Sequence, residues 1–273
     1  RQMCIRDRFQ DHALFPHLTV AQNVAFGLGR FAAAQRDQIV GQLLERVGLA
    51  ALAQRYPHTL SGGQQQRIAL IRALAPRPRV MLLDEPFASV DTPLRRQLRK
   101  DARQELKQAG TTTIMVTHDP EEAMAMADRI LALVEGETVQ FDTPEALWRQ
   151  PAHRFVAETI AGLQTLRGRV AGDYIATAFG KLATNRVRGA AALTNGQAVT
   201  LGVRGSSVSI AEEVTEPAAR AAVEDIRFDG MHWTALVKHE DQQLRFVLDH
   251  ESQVQTGGLV ALSFTDADAI VYS

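Results

Sequence analysis

The chain has 273 residues, with 30 Lys and Arg against 31 Asp and Glu and a net charge of −1, so no global field draws it to nucleic acid or to anionic lipid. Its 45% apolar content can build a real core in one large domain or two modest ones. The single cysteine, Cys4, excludes an intrachain disulfide and suits a reducing compartment, and no apolar run approaches the length that spans a bilayer. Residues 1–8 lack the apolar centre of a signal peptide.

In chain order, Ile39, Val40, Leu43, Leu44 and Val47 recur at helical spacing, with Gly48 as a stop. Ser61 is placed to cap the next helix, with Gln64 completing a capping box. That helix runs through Ile68, Leu70 and Ile71 to Leu74 and is ended by Pro76 and Pro78. Residues 80–83 form a short, wholly apolar run, the mark of a buried parallel strand. Leu94, Leu98, Ala102 and Leu106 predict an amphipathic helix closed by Gly110. A strand over 113–116 and a helix over 120–127 follow, the latter with Pro120 in its first turn and Glu121 and Glu122 at its positive end. The alternation predicts a mostly parallel sheet up to about Gly162.

After about Leu163 the period changes. Val199, Leu201 and Val203 alternate with Thr200, Gly202 and Arg204, and the runs 244–249 and 260–264 repeat the pattern. Asn195-Gly196 and Asp229-Gly230 are hairpin turn signals. This half reads as a small antiparallel β domain of barrel type.

Chemistry concentrates in the first half. Asp84 and Glu85 follow the apolar strand, at the carboxyl end of a parallel sheet where open α/β folds bind ligands. Asp84 suits Mg²⁺ and Glu85 suits a water attacking a phosphoryl group. On the dipeptide alone, a solvated acidic turn is the commoner outcome. Ser61, Gly62, Gly63 and Gln64 open a helix whose free N–H groups suit an anion, although a plain capped helix start has the same sequence. His118 follows the strand over 113–116 and so emerges at the same sheet edge, within reach of a terminal phosphate; a loop histidine is the plainer alternative. Gln10 offers an amide to metal or water, or is simply an exposed loop residue.

The order and spacing of these signals resemble the ATP-binding subunit of an ABC transporter. Phe9-Gln10 resembles the glutamine loop, Leu60-Ser61-Gly62-Gly63-Gln64 the signature motif, and Leu82-Leu83-Asp84-Glu85-Pro86 the Walker B motif. Ser89-Val90-Asp91 resembles the D-loop, with Val90 where Leu is usual, and Thr117-His118-Asp119 the switch-histidine loop. The resemblance implies a P-loop NTPase fold with a helical subdomain, and a head-to-tail pair of ATPase subunits sharing ATP and Mg²⁺. Ser61, Gly62, Gly63 and Gln64 then face a nucleotide held mainly by the partner, and Asp84 supports Mg²⁺. Glu85 and His118 become catalytic, Gln10 senses metal and water, and Asp91 crosses the dimer interface. His12, Leu14, Phe15, Pro16, His17 and Leu18 fall where the family receives its membrane permease; packing on their own helical subdomain is the alternative.

The second half resembles the OB-like TOBE accessory domain of importer ATPases, through residues 141–148, 151–157 and Leu201-Gly202-Val203-Arg204, with Gly205 replacing the usual Pro. The expected division is therefore a partial ABC ATPase domain over 1–162 and a TOBE-like domain over 163–273. The implied protein couples ATP hydrolysis to import, with ferric iron favoured and polyamine, sulfate, phosphonate or sugar as alternatives. Its expected place is cytoplasmic, on the inner membrane face through the permease, with a binding protein acting indirectly and no nucleic-acid partner.

The phosphate loop G-x-x-x-x-G-K-[ST] occurs nowhere in these 273 residues. Family likeness is expected to begin at Phe9, with 1–8 an unrelated scar on a fragment that starts before the glutamine loop. Little ATP hydrolysis is then expected of this chain alone. Two other readings stand beside it: a non-hydrolysing interaction subunit lending its signature motif, and a non-transport ABC ATPase of DNA repair or translation.

Overall fold

The computed structural model describes residues 14–88, 92–211, 220–249, 254–264 and 269–272. The chain divides into two compact units, residues 1–127 and 128–273.

The first unit contains α1 (Val20–Ala25), α2 (Ala33–Arg46), α3 (Gly62–Leu74), β1 (Val80–Asp84), α4 (Thr92–Ala109), β2 (Thr112–Val116) and α5 (Pro120–Met126). One apolar cluster joins α1, α2 and the buried face of α3 through Val20, Val24, Val40, Leu44, Ile68 and Ile71. A second lies between α3, β1 and α4 and contains Leu70, Leu74, Met81, Leu83, Phe87 and Leu98. Strands β1 and β2 pair in parallel, from Val80 opposite Thr112 to Asp84 opposite Val116. The expectation of a fully buried strand needs correcting. Met81 and Leu83 are buried, but Val80 and Leu82 are half-buried and Asp84 is exposed. The described sheet has two strands, so α3 and α4 cover one face of β1 while the other is covered less.

The second unit opens with the hairpin of β3 (Ile130–Val134) and β4 (Glu137–Asp142), then α6 (Pro144–Arg149) and α7 (Arg154–Thr159). Its tight turn is Glu135-Gly136, with both φ angles positive at 51° and 85°. That geometry matches the right-handed twist of the strands. The strands β5 (Gln164–Ala171), β6 (Tyr174–Thr177), β7 (Gly180–Ala183), β8 (Val187–Arg188), β9 (Ala198–Val203), β10 (Val208–Ile210), β11 (Arg220–Phe228), β12 (Trp233–His239), β13 (Gln242–Leu248), β14 (Leu259–Phe264) and β15 (Ala269–Tyr272) follow. They form a six-stranded sheet ordered β7-β6-β5-β9-β15-β8 and a five-stranded sheet ordered β10-β14-β11-β12-β13. One core serves both sheets, with Leu166, Ile175, Phe179, Leu201, Val237, Leu244 and Phe246 inside. The alternation read at 199–203 and 244–248 thus marks inward-facing positions.

Asp229-Gly230 does turn β11 into β12, with Asp229 N–H donating to His232 O at 3.0 Å. Asn195-Gly196 instead leads from a short helical turn at Ala190–Ala192 into β9 and joins no two neighbouring strands. Its backbone is held by Gly196 N–H donating to Val170 O at 2.8 Å. Helices α6 and α7 belong to the second unit, so the observed division falls ahead of them, whereas the sequence pattern changes after them. Arg204 fixes them: its guanidinium donates to Ala161 O at 2.6 Å and to Trp148 O at 2.5 Å and lies 3.6 Å from the Trp148 ring centroid.

Candidate functional site

Three pieces of the first unit build the candidate site. The first is the start of α3. Ser61 holds extended backbone, and its Oγ accepts from Gln64 N–H at 3.4 Å while Ser61 N–H donates to Gln64 Oε1 at 3.0 Å. The capping box expected from sequence is present. It leaves the N–H groups of Gly62 and Gly63, at the first helical positions, without intrahelical acceptors and with the positive end of the helix dipole behind them. A Cβ at Gly62 would meet nothing within 4 Å, so the approach to this end is open.

The second piece is the end of β1. The strand delivers Asp84 to solvent and places Glu85 just beyond it, at φ 40°. A non-glycine residue in the left-handed region is uncommon and clusters at functional sites. Glu85 N–H donates to Val116 O at 2.9 Å, which continues the parallel ladder by one bond and fixes the carboxylate at the sheet edge.

The third piece is the segment after β2. His118 Nδ1 lies 3.0 Å from Glu85 Oε1; the imidazole side chain is 75% exposed and the carboxylate side chain 29%. The hydrogen bond to Glu85, then that carboxylate's charge, raises the His118 pKa above its ordinary 6.5, with smaller help from Glu122 and Asp119. Thr117 Oγ1 donates to Glu122 Oε2 at 2.7 Å and accepts from Asp119 N–H at 3.0 Å. Asp119 caps α5 by accepting from Glu121 and Glu122 N–H, and its carboxylate faces Arg95 at 3.6 Å and Arg99 at 3.9 Å.

The structure therefore brings Glu85 and His118 together, with Asp84 adjacent on the chain. The hydrogen bonds of Ser61 and Gln64 are local to the cap. Gln10 and Asp91 lie outside the described residues. Sequence reasoning missed two supports. Gln66, 3% exposed, donates through Nε2 to Pro86 O and so ties α3 to the residue after Glu85. Glu122, taken as a dipole partner, is also 3% exposed and holds Thr117. Each is a polar residue on an otherwise apolar helix face, and that was the available signal.

The loop over 14–18 is organised by Asn23, which is fully buried. Its Oδ1 accepts from Phe15 N–H at 2.8 Å and its Nδ2 donates to the carbonyls of Phe15, Leu18 and Thr19. Leu14 packs on the α1–α3 cluster, while Phe15 lies 4.3 Å from Phe26, which is 57% exposed. His12 lies outside the described residues.

The described residues of the first unit thus hold a carboxylate pair at a parallel strand end, a histidine bonded to one of the two and a helix opened by glycines. The ABC transporter family profile matches residues 3–88, beginning ahead of Phe9. The chain is 39% identical over 267 residues to the Fe(3+) ions import ATP-binding protein of Streptomyces avermitilis, covering 96% of this chain and 75% of that one. It is 36% identical over 277 residues to the spermidine/putrescine import ATP-binding protein of Pseudomonas fluorescens, covering 96% and 74%. Against the sulfate/thiosulfate import ATP-binding protein of Yersinia pseudotuberculosis it is 47% identical over 173 residues, 61% of this chain and 48% of that protein. The chain thus spans about half the length of the sulfate/thiosulfate relatives. The chain belongs to the ATP-binding subunits of ABC transporters. No helix among the described residues is long and apolar enough to cross a membrane.

Proposed function

We propose that the chain is part of the nucleotide-binding subunit of an ABC importer and couples ATP hydrolysis to solute uptake. The Glu85–His118 contact at 3.0 Å, beside Asp84 at the end of β1, carries this reading. Glu85 orients and deprotonates the attacking water, and His118 donates a hydrogen bond to the γ-phosphate side of the site. Ser61, Gly62, Gly63 and Gln64 serve a nucleotide gripped by a second ATPase subunit, Asp91 crosses to that subunit, and Gln10 senses metal and water.

The donor set suits Mg²⁺. Asp84 offers hard carboxylate oxygens, and Mg²⁺ is commonly held by one or two carboxylates together with nucleotide phosphates. Asp84 would hold Mg²⁺, which when bound would supply charge neutralisation at the phosphates.

Ferric iron is the favoured solute, because across 96% of this chain the relative named for Fe(3+) import is 39% identical and the spermidine/putrescine relative 36%. Polyamine, sulfate, phosphonate and sugar are the alternatives, the first supported by the spermidine/putrescine relative. The strands from β5 onward, antiparallel except where β8 pairs with β15, are read as a TOBE accessory domain of OB-like build over 163–273. The loop over 14–18 and exposed Phe26 are read as the permease-facing surface, which would place the subunit at the inner face of the membrane with a binding protein acting across it. A second reading is an interaction subunit that lends its signature motif, Ser61 to Gln64 at the open start of α3, without hydrolysing.

Mixing the chain with the Streptomyces avermitilis relative in Mg-ATP tests the proposal. Formation of an ATP-dependent complex, lost with Ser61→Arg, is expected. Glu85-dependent turnover in that complex separates the two readings. No ATP-dependent association at any ratio sinks both.

A further inference from the structure

The turn that leads into β9 holds a reactive pair that the nucleotide reading leaves unused. The sequence has three asparagines, Asn23, Asn185 and Asn195, and only Asn195 is followed by glycine. An asparagine amide can be attacked at Cγ by the backbone nitrogen of the next residue, and a glycine there has no side chain to shield that nitrogen. Asn195 and Gly196 are both exposed, and a Cβ at Gly196 would meet nothing within 4 Å.

The folded turn supplies one half of that reaction and withholds the other. Gly172 N–H donates to Asn195 Oδ1 at 3.0 Å, which draws electron density from Cγ and favours attack there. The attacking nitrogen must first lose its proton, and Gly196 N–H is instead donated to Val170 O at 2.8 Å. Val170 N–H donates back to Gln197 O at 2.9 Å, and Arg169 Nη1 donates to Gly196 O at 2.7 Å. Residues 169 and 170 of β5 therefore grip Gly196 through both its N–H and its carbonyl. Proton loss from an amide held in this way waits for local opening. The withheld proton outweighs the polarised carbonyl, because without its loss there is no nucleophile.

We propose that Asn195-Gly196 is a deamidation site gated by β5, at which Asn195 reacts only when the 194–197 turn lifts off that strand. In the opened turn Gly196 N gives its proton to solvent base and bonds to Asn195 Cγ. The Cγ–Nδ2 bond breaks, and ammonia leaves with a proton taken from solvent, which leaves a cyclic succinimide. Water then opens one of the two imide C–N bonds and gives aspartate or isoaspartate at 195. The aspartate product keeps an acceptor for Gly172 N–H. The isoaspartate product routes the main chain through the former side-chain carbon and so cannot restore the bonds to Arg169 and Val170. The β5–β9 ladder, whose last pair is Arg169 opposite Ala198, is then expected to fray from that end.

The test incubates the full 273-residue chain in mildly alkaline buffer, folded and in denaturing urea, and follows the tryptic peptide 189–204 by mass spectrometry and chromatography. Conversion to aspartate and isoaspartate is expected in urea, and about a hundredfold more slowly in the folded chain, since four hydrogen bonds must open together. Arg169→Ala removes one of the four and is expected to speed the folded chain about three- to tenfold while leaving the rate in urea unchanged. Thermal melting checks that this variant folds. Sub-denaturing urea on the parent chain serves if it does not, and should raise the rate as the turn opens. Equal rates in the folded and unfolded chains, no conversion in urea, a folded Arg169→Ala that reacts like the parent, or a parent rate that ignores sub-denaturing urea would each overturn the proposal.

Discussion

His118 Nδ1 and Glu85 Oε1 are 3.0 Å apart although 33 positions separate the residues (118 − 85), because parallel pairing of β1 with β2 ends both strands at one edge. The pair is the part of the site most directly open to titration. Glu85 raises the His118 pKa, chiefly through their hydrogen bond. A raised histidine value means that the charged pair is intact below the ordinary 6.5 and is lost as pH rises through the higher folded value. Glu85→Gln removes the charge and keeps a hydrogen-bond acceptor. Following the His118 ring by NMR should show its midpoint falling in that variant; an unchanged midpoint would mean that the contact does not persist in solution.

Thr117→Val should destabilise the first unit. It removes the hydroxyl that donates to Glu122 and accepts from Asp119 N–H. Glu122 is buried, so its carboxylate then lacks that donor, at a cost of about 1–3 kcal/mol in urea unfolding. The His118 midpoint offers a second readout, since the loop that carries it loses its anchor.

Arg204→Ala should loosen α6 and α7 within the second unit. The guanidinium donates to Ala161 O and Trp148 O and stacks on the Trp148 ring, at 3.6 Å to its centroid. Hydrogen bonds from a charged donor and a half-buried cation–π contact together support a loss of about 2–3 kcal/mol. Hydrogen exchange should rise in 144–159 before the β5–β9 ladder is affected. Arg204→Lys should recover only part, because one ammonium cannot reproduce the planar fork.

Gly205→Ala should also destabilise the second unit. A Cβ at this position would sit 2.5 Å from Arg245 O, a backbone atom that also accepts from Gln164 Nε2. Backbone cannot move aside as a side chain can, so a cost of about 1–3 kcal/mol is expected in thermal unfolding. Full stability in the alanine variant would show that the strands can part without loss.

The chain of 273 residues should hydrolyse little ATP by itself, since no Gly-Lys-Ser/Thr loop in it can grip the β- and γ-phosphates. Phosphate release should equal that of Glu85→Gln. Turnover that depends on Glu85 would overturn this expectation.

Much of the candidate site was legible because its signals are local. The Ser61–Gln64 capping box, the apolar run ending in Asp84-Glu85 and the alternation at β9 and β13 are each settled within a few residues by capping chemistry or side-chain period. The Glu135-Gly136 turn went unread because Glu rarely takes positive φ, and only the pairing of β3 with β4 holds it there. Gln66 on Pro86, Glu122 under Thr117 and Gly205 against Arg245 went unread because packing brings those partners together.

The sequence by itself determined where most helices and strands begin and that Asp84, Glu85 and His118 stand at or just past strand ends. The tertiary structure decided that Glu85 and His118 touch, that α6 and α7 join the β-rich unit rather than the helical one, and that among the described residues the strands from β5 to β15 sort into sheets ordered β7-β6-β5-β9-β15-β8 and β10-β14-β11-β12-β13. Capping and periodicity act over a turn of chain. Strand order and the meeting of distant polar groups depend on which arrangement buries the most apolar surface while leaving the fewest polar atoms unmatched.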